Sequence, residues 1–463
     1  MAVNKIISSG FLVFLDQLVF GVTGWIYWLI ISKYVSPFEI GQSTAVYSLI
    51  LLFSALTQLG LQYPMLNRSS AERSQILGSV LIIELAVTLA VVPIVLYFFF
   101  NVYPVPLQGF SWIGIGILIF LSVGFVAKFV LLGISEAKKV LIIDTIGTII
   151  KFVTGLILVV TGFGTWGILL SFLIQAIVIG CITLALAVKI FGFKLQNMNY
   201  LIKIMRDGLV NVPSQLSGLL IFSLSVVLLA SFAVPSSDIG IFYIALMISF
   251  IVGTFASSMA LMILPSSSVS KVDLSTVTTR IGISLTAPLI AALMSSPKLI
   301  LSIFGTEYLS GALILVVLSI AILPFSIMIN AISKFNFKDD PKKLILVGSA
   351  QLLTFLITFY FLVPNYGTLG AAFSILIAFV ASCIPSIVWS DRILIRYIIN
   401  TCIAILVGWV VGFGISSVIG GGIFIQIASV LSAVTVTFAI ILGLRNTSRN
   451  EITQLIKALL KTG

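Results

Sequence analysis

Long apolar stretches separated by short polar ones recur from residue 10 almost to residue 443. An α-helix needs roughly 20 apolar residues to cross about 30 Å of hydrocarbon. Fourteen segments meet that condition, at 10–31, 43–66, 76–100, 110–132, 140–160, 165–190, 208–234, 239–264, 280–303, 308–330, 344–363, 367–389, 398–418 and 420–443. The pattern predicts an all-α polytopic membrane protein. The first segment follows Lys5 much as a signal peptide would. Its length, Asp16 and Gln17, and the absence of a small-residue cleavage site predict a retained helix instead.

Composition agrees with the pattern. Of the 463 residues, 60% are hydrophobic and 8% charged, with a mean hydropathy of +1.26, far too little charge to cover a soluble surface. Charge also sets an expected orientation. With an even number of spans and a cytoplasmic N-terminus, 22 of the 25 Lys and Arg fall in inner loops, inner helix ends or tails, leaving only Lys33, Lys151 and Lys298 elsewhere. The net charge of +11 is thereby explained without a nucleic-acid partner. Both termini are expected in the cytoplasm.

The chain echoes itself. GTWGILLS at 164–171 matches GTLGAAFS at 367–374, VSPFEIG at 35–41 matches VPSSDIG at 234–240, and Lys138-Lys139 matches Lys342-Lys343, all at an offset near 200 residues. A repeat of six spans returns the chain to its starting side, so the two copies share one orientation and are related by an axis along the membrane normal. The expected organisation is a first six-helix lobe at 1–190, a cytoplasmic linker at 191–207, a second lobe at 208–397, an extra helix pair at 398–443 and a tail at 444–463. In the tail, Ile452, Leu455, Ile456, Leu459 and Leu460 form a helical stripe behind a Ser448/Glu451 capping box. It reads either as an amphipathic helix on anionic membrane lipid or as a solvated tail.

Much chemistry is missing. There is no histidine, which excludes His-based catalysis and metal ligation. Cys181, Cys383 and Cys402 lie in apolar spans without metal-type spacing and read as packing residues. No phosphate loop of the G-x-x-x-x-G-K-[ST] form occurs. The outer connections are too short for the external catalytic domain of a polymerase or glycosyltransferase. The expectation is a protein that is not an enzyme and carries no cofactor, driven by a Na+ or H+ gradient, a substrate gradient or a partner.

Ionisable residues inside spans are Asp16, Glu84, Lys128, Asp144 and Lys151, all in the first lobe. A lysine at a helix centre costs about 2.5–3.5 kcal/mol on insertion scales, so each one calls for a function or a partner. Asp144 and Lys151, seven residues apart, share a helix face but stand too far apart along the axis for a direct bridge. Lys151 therefore either pairs with a first-lobe carboxylate or meets an anionic substrate. Asn211, Ser214 and Gln215 supply neutral polar groups early in the seventh span. Lys151, Asn211 and Gln215 are the candidate substrate-binding residues; Asp16, Glu84 and Asp144 are either ion-coupling carboxylates or polar packing residues. Lys128 is expected to snorkel to the inner interface.

Several stretches carry a family likeness. The segment 34–66, its echo SSDIGIFYIALMISFIVGTFASSMALMILP, IFGTEYLSGALILVVLSI at 303–320 and LVPNYGTLGAAFSILIA at 362–378 resemble the polysaccharide transport family of the MOP flippase superfamily, over nearly the whole chain. The resemblance implies the MATE-like MOP fold. It also implies a flippase, acting in the cytoplasmic membrane by alternating access, that carries a polyprenyl-phosphate or -pyrophosphate oligosaccharide from the inner to the outer leaflet. Lys151 would then meet the head group and the last two helices the lipid tail. Polysaccharide assembly partners are implied, and fourteen spans suffice for a functional monomer. One departure is that lipid II flippases carry several cavity arginines, where this chain has one midplane lysine. The alternative within the superfamily is a cation-coupled multidrug exporter with Asp16 as its coupling site.

Overall fold

The computed structural model describes residues 16, 19, 21–68, 73–134, 136–194, 196–209, 212, 220–261, 275–337, 340–389, 393–418, 422–444 and 446. Among them the chain is helical, without strands. Among the described residues ten helices are long and apolar enough to cross a membrane, and three shorter apolar helices join them. One of the ten, Pro341–Val388, is two helices merged across a kink at Gly367, whose φ of 55° and ψ of −133° are not helical. Counted as two, it brings the apolar helical segments to fourteen, in the expected order.

We number them α1 (Gly21–Ile31), α2 (Pro37–Thr57), α3 (Arg73–Tyr97), α4 (Ser111–Gly133), α5 (Ala137–Val160), α6 (Gly164–Phe191) and α7 (Leu220–Ser231). Then follow α8 (Ser236–Leu261), α9 (Ser275–Ser295), α10 (Ala312–Phe337), α11 (341–366), α12 (368–388), α13 (Ile393–Val418) and α14 (Ile423–Gly443). The chain forms two compact units, residues 4–243 and 244–463. The predicted tail helix, with Ser448 and Glu451, lies outside the described residues.

In the first unit α6 packs on both α4 and α5, α3 packs on α4, and α2 packs on α7, α4 and α6. The expected linker contains a helix of its own, Met198–Leu209, started by Asn197, whose Oδ1 accepts from the Tyr200 amide at 3.0 Å. Ile204 is buried against the cluster of Leu61, Ile76, Val80, Val126 and Phe191, with Tyr200, Leu201 and Met205 beside it. The linker therefore docks on the first unit through its apolar stripe, which is how so short an amphipathic helix is held in place.

The repeated motifs have structural reasons. In VSPFEIG, Ser36 caps α2, Pro37 occupies the first turn, and the Glu39 carboxylate accepts from the Ser36 amide at 2.9 Å, completing a capping box. In G-T-x-G, Gly164 has a φ of +48° and Gly367 a φ of +55°, a region that disfavours any side chain. Each glycine turns the chain sharply from one span into the next. The second glycine of each copy then lets the new helix approach the old one. A Cβ on Gly167 would stand 3.1 Å from the Leu158 carbonyl carbon, and one on Gly370 would stand 2.4 Å from the Leu362 oxygen.

In the second unit α10 packs along the α11/α12 pair and on α9, while α13 and α14 pack on each other and on α9. The α13/α14 seam is of the small-residue kind. Gly408 and Gly412 on α13 face Ser429, Ala433 and Thr437 on α14, and the Ser429 hydroxyl donates to the Gly412 carbonyl at 2.7 Å. Only 28% and 22% of the apolar windows of these two helices are buried. The rest of their surface is free to meet lipid.

Candidate functional site

Helix α5 is built inside out. Its buried residues include Val140, Ile143, Asp144, Gly147, Thr148, Lys151, Gly155 and Val159, spaced by three and four, while Ile142, Ile146, Ile149, Val153 and Ile157 are exposed. A soluble amphipathic helix turns its apolar side inward. Here the apolar side faces the lipid position and the polar stripe is enclosed by protein, the arrangement expected where charges in a membrane span are functional or paired.

Lys151 is 4% exposed, and its ammonium lies 4.9 Å from the Tyr27 ring centroid and 5.0 Å from that of Phe172. Both rings offer their π-faces to the charge, a contact that strengthens when water is excluded. Gly155, one turn further on, makes room for Tyr27, since a Cβ there would lie 2.8 Å from the ring and its hydroxyl. The Tyr27 hydroxyl is hydrogen-bonded to Ser171 Oγ at 2.9 Å. Ser171 is the serine of the first G-T-x-G-x-x-x-S motif, and it also donates to the Ile168 carbonyl at 2.7 Å. Tyr47 stacks on Phe172 at 4.0 Å, and Trp28 bridges Tyr27, Phe172 and Tyr243. One cation thus sits at the edge of a continuous aromatic group from α1, α2, α6 and the start of α8.

Lys128 does not behave as a snorkelling residue. Its ammonium donates to Asp16 at 2.8 Å and to Asp144, joining α4 to α5 and to the segment that leads into α1, and its side chain keeps 30% exposure. The two carboxylates outcompete the interface for the charge, because each would otherwise stand in the apolar interior without a counter-ion. One turn further along the α5 stripe, Thr148 receives a hydrogen bond from Gln175 at 3.2 Å.

Glu84 on α3 stands apart from this group and is fully buried. Asn211 and Gln215 lie outside the described residues. The aromatic partners Tyr27, Tyr47 and Phe172 were not singled out from sequence. Ser171 lies in a repeated motif and Gly155 four residues beyond Lys151, the two sequence signals that could have led to them.

No family model matches the chain, and no curated protein matches its sequence. Solved structures do match its fold. A structure of the lipid II flippase MurJ in an inward closed conformation aligns over 92% of this chain and 98% of its own, with a TM-score of 0.73 at 14% identity. The MATE multidrug transporter DinF-BH aligns over 84% of this chain and 96% of its own, with a TM-score of 0.58 at 14% identity. An inward-facing multidrug resistance MATE family transporter of the MOP superfamily aligns over 83% and 94%, with a TM-score of 0.59 at 15% identity. The chain is a multi-pass membrane protein with the fold of the MOP-superfamily transporters.

Proposed function

We propose that this protein is a flippase that carries a polyprenyl-phosphate or -pyrophosphate-linked oligosaccharide from the inner to the outer leaflet of the cytoplasmic membrane, by alternating access between two six-helix lobes. The observation that carries the reading is Lys151, a single cation on the enclosed face of α5 held beside a group of aromatic rings. An ammonium matches a phosphate, and aromatic faces match the C–H faces of sugar rings. The likeness of fold to a lipid II flippase supports it. So does the pair α13/α14, which follows the repeat and leaves most of its surface open to a lipid chain.

In this reading Lys151 takes the anionic head group and loses part of its contact with Tyr27 and Phe172 as it does so. Asn211 and Gln215 add polar contacts from the seventh span, the segment 191–207 links the lobes, both termini are cytoplasmic, and the monomer is the working unit. Glu84, the candidate carboxylate of the first lobe that Lys128 does not hold, supplies coupling to Na+ or H+. The alternative, a cation-coupled multidrug exporter, rests on the likeness of fold to MATE transporters. It is the weaker reading because Asp16 and Asp144 already hold an internal cation, Lys128.

The test is transbilayer movement of a fluorescent polyprenyl-pyrophosphate oligosaccharide in proteoliposomes bearing wild-type or Lys151→Ala protein, with organic-cation efflux measured on the same vesicles. Movement of the lipid-linked sugar that falls at least tenfold in folded Lys151→Ala protein is expected. Cation efflux without sugar movement would sink the flippase reading and turn attention to Asp16.

A further inference from the structure

Helix Met198–Leu209 is apolar around more of its circumference than its docking on the first unit uses. Tyr200, Leu201, Ile204 and Met205 lie against that unit, whereas Met198, Ile202 and Leu209 are 68%, 51% and 46% exposed. Spacings of four and seven residues put these three on one stripe alongside the docked face. Arg206 borders the stripe, and Asn199, Lys203 and Asp207 complete the polar side. A single exposed apolar residue needs no explanation, but a stripe of three on one short helix does.

The place of the helix says what meets the stripe. Its docking cluster draws Leu61 from just past the end of α2, Ile76 from the start of α3, Leu131 from the end of α4, Val140 from the start of α5 and Phe191 from the end of α6. Five helix ends gathered in one cluster mark a boundary of the apolar region, where a membrane gives way to headgroups. Two glycines hold the linker close at that level. A Cβ on Gly78 would stand 2.5 Å from the Lys194 carbonyl oxygen, and one on Gly208 would stand 2.8 Å from the Leu59 carbonyl oxygen. Lys194, Lys203 and Arg206 are all exposed there, against the one acid Asp207.

We infer that Met198–Leu209 is an interfacial helix that binds anionic phospholipid. Met198, Ile202 and Leu209 enter the border of the acyl chains, and Arg206, Lys203 and Lys194 meet the headgroup phosphates. Any lipid satisfies the apolar stripe; the basic edge selects a negative surface, where each basic residue strengthens attachment about fivefold. Attachment pins the linker to one leaflet at the edge of the first unit, just before the chain enters α7. It holds whatever the protein carries, and its test reads lipid contact rather than transport.

The full chain is placed in nanodiscs of phosphatidylcholine, with or without about 30% phosphatidylglycerol. An environment-sensitive fluorophore is attached at Ile202→Cys or Asn199→Cys, with Cys181, Cys383 and Cys402 changed to alanine, and is quenched by lipid spin-labelled just below the headgroup. Strong quenching at 202 and little at 199 is expected. In a chain that keeps its native cysteines, phosphatidylglycerol added to the detergent-solubilised protein should raise the unfolding midpoint more than phosphatidylcholine does. Lys203→Gln/Arg206→Gln should raise the phosphatidylglycerol concentration for half-effect at least tenfold. The two residues are exposed, so this variant is expected to fold. Absence of quenching at 202 in both bilayers, or a midpoint that the two lipids move alike, overturns the inference.

Discussion

Gly41 and Gly240, 199 residues apart, meet as reciprocal partners. A Cβ built on Gly41 would lie 1.7 Å from the Ser236 carbonyl oxygen, and one built on Gly240 would lie 2.0 Å from the Pro37 carbonyl oxygen. Residues 37 and 236 are themselves 199 apart, so the contact repeats itself when the two motifs are exchanged. The first turns of α2 and α8 touch backbone to backbone across a local pseudo-twofold axis.

Gly41→Ala and Gly240→Ala should each destabilise the protein by about 1–3 kcal/mol, the usual cost of overpacking against atoms that do not yield. Both substitutions force the same two turns apart, so the double variant should cost less than the sum of the singles. Denaturation midpoints of the four proteins in detergent check this. Full additivity would mean that the two glycines are not one contact.

Lys128→Met leaves Asp16 and Asp144 facing each other without their cation. The expected loss is about 3 kcal/mol, at the lower end for breaking a buried pair because the lysine is partly exposed. Asp144→Asn in the same chain should restore part of it, since the like-charge repulsion goes with the charge. A double-mutant cycle on unfolding measures the coupling.

Tyr27→Phe keeps the ring under Lys151 and removes only the hydrogen bond to Ser171, for an expected loss of about 0.5–1.5 kcal/mol. Tyr27→Leu removes the π-face as well and should cost a further ~0.5–2 kcal/mol. If the two variants unfold alike, the ring face contributes nothing to holding the ammonium.

Gly367→Ala should lower stability by about 1–3 kcal/mol, because its φ of +55° with ψ of −133° is open to glycine alone. Gly164→Ala should cost at least as much, since its Cβ would also stand 2.1 Å from the Glu39 carboxylate. Equal midpoints for Gly367→Ala and wild type would show that the corner between α11 and α12 can be redrawn.

Much of this was legible in the sequence because a membrane span is written in residue type over a long window. The order of fourteen helices, the internal repeat and the shared face of Asp144 and Lys151 follow from hydropathy, offset and a seven-residue spacing. The partner of a buried charge is not written that way. Lys128 and Asp144 are 16 residues apart and Lys128 and Asp16 are 112 apart, and both bonds depend on how the first span, α4 and α5 lean together. From its position alone Lys128 looked able to reach water. The cover over Lys151 was hidden for a related reason: Tyr27 and Phe172 are ordinary apolar-span aromatics until Gly155 and Ser171 bring them to the ammonium.

The Lys128 triad also bears on how the chain enters the membrane. Asp16 is synthesised first, Lys128 next and Asp144 last, with α4 and α5 joined only by residues 134–136. A hairpin of α4 and α5 can leave the translocon with Lys128 and Asp144 already neutralising one another, which lowers the penalty each would meet alone. Glycosylation mapping of α5 with and without α4 ahead of it should find the hairpin inserted more completely. The order in which ribosomes release these residues is then also an order in which each charge finds company on arrival.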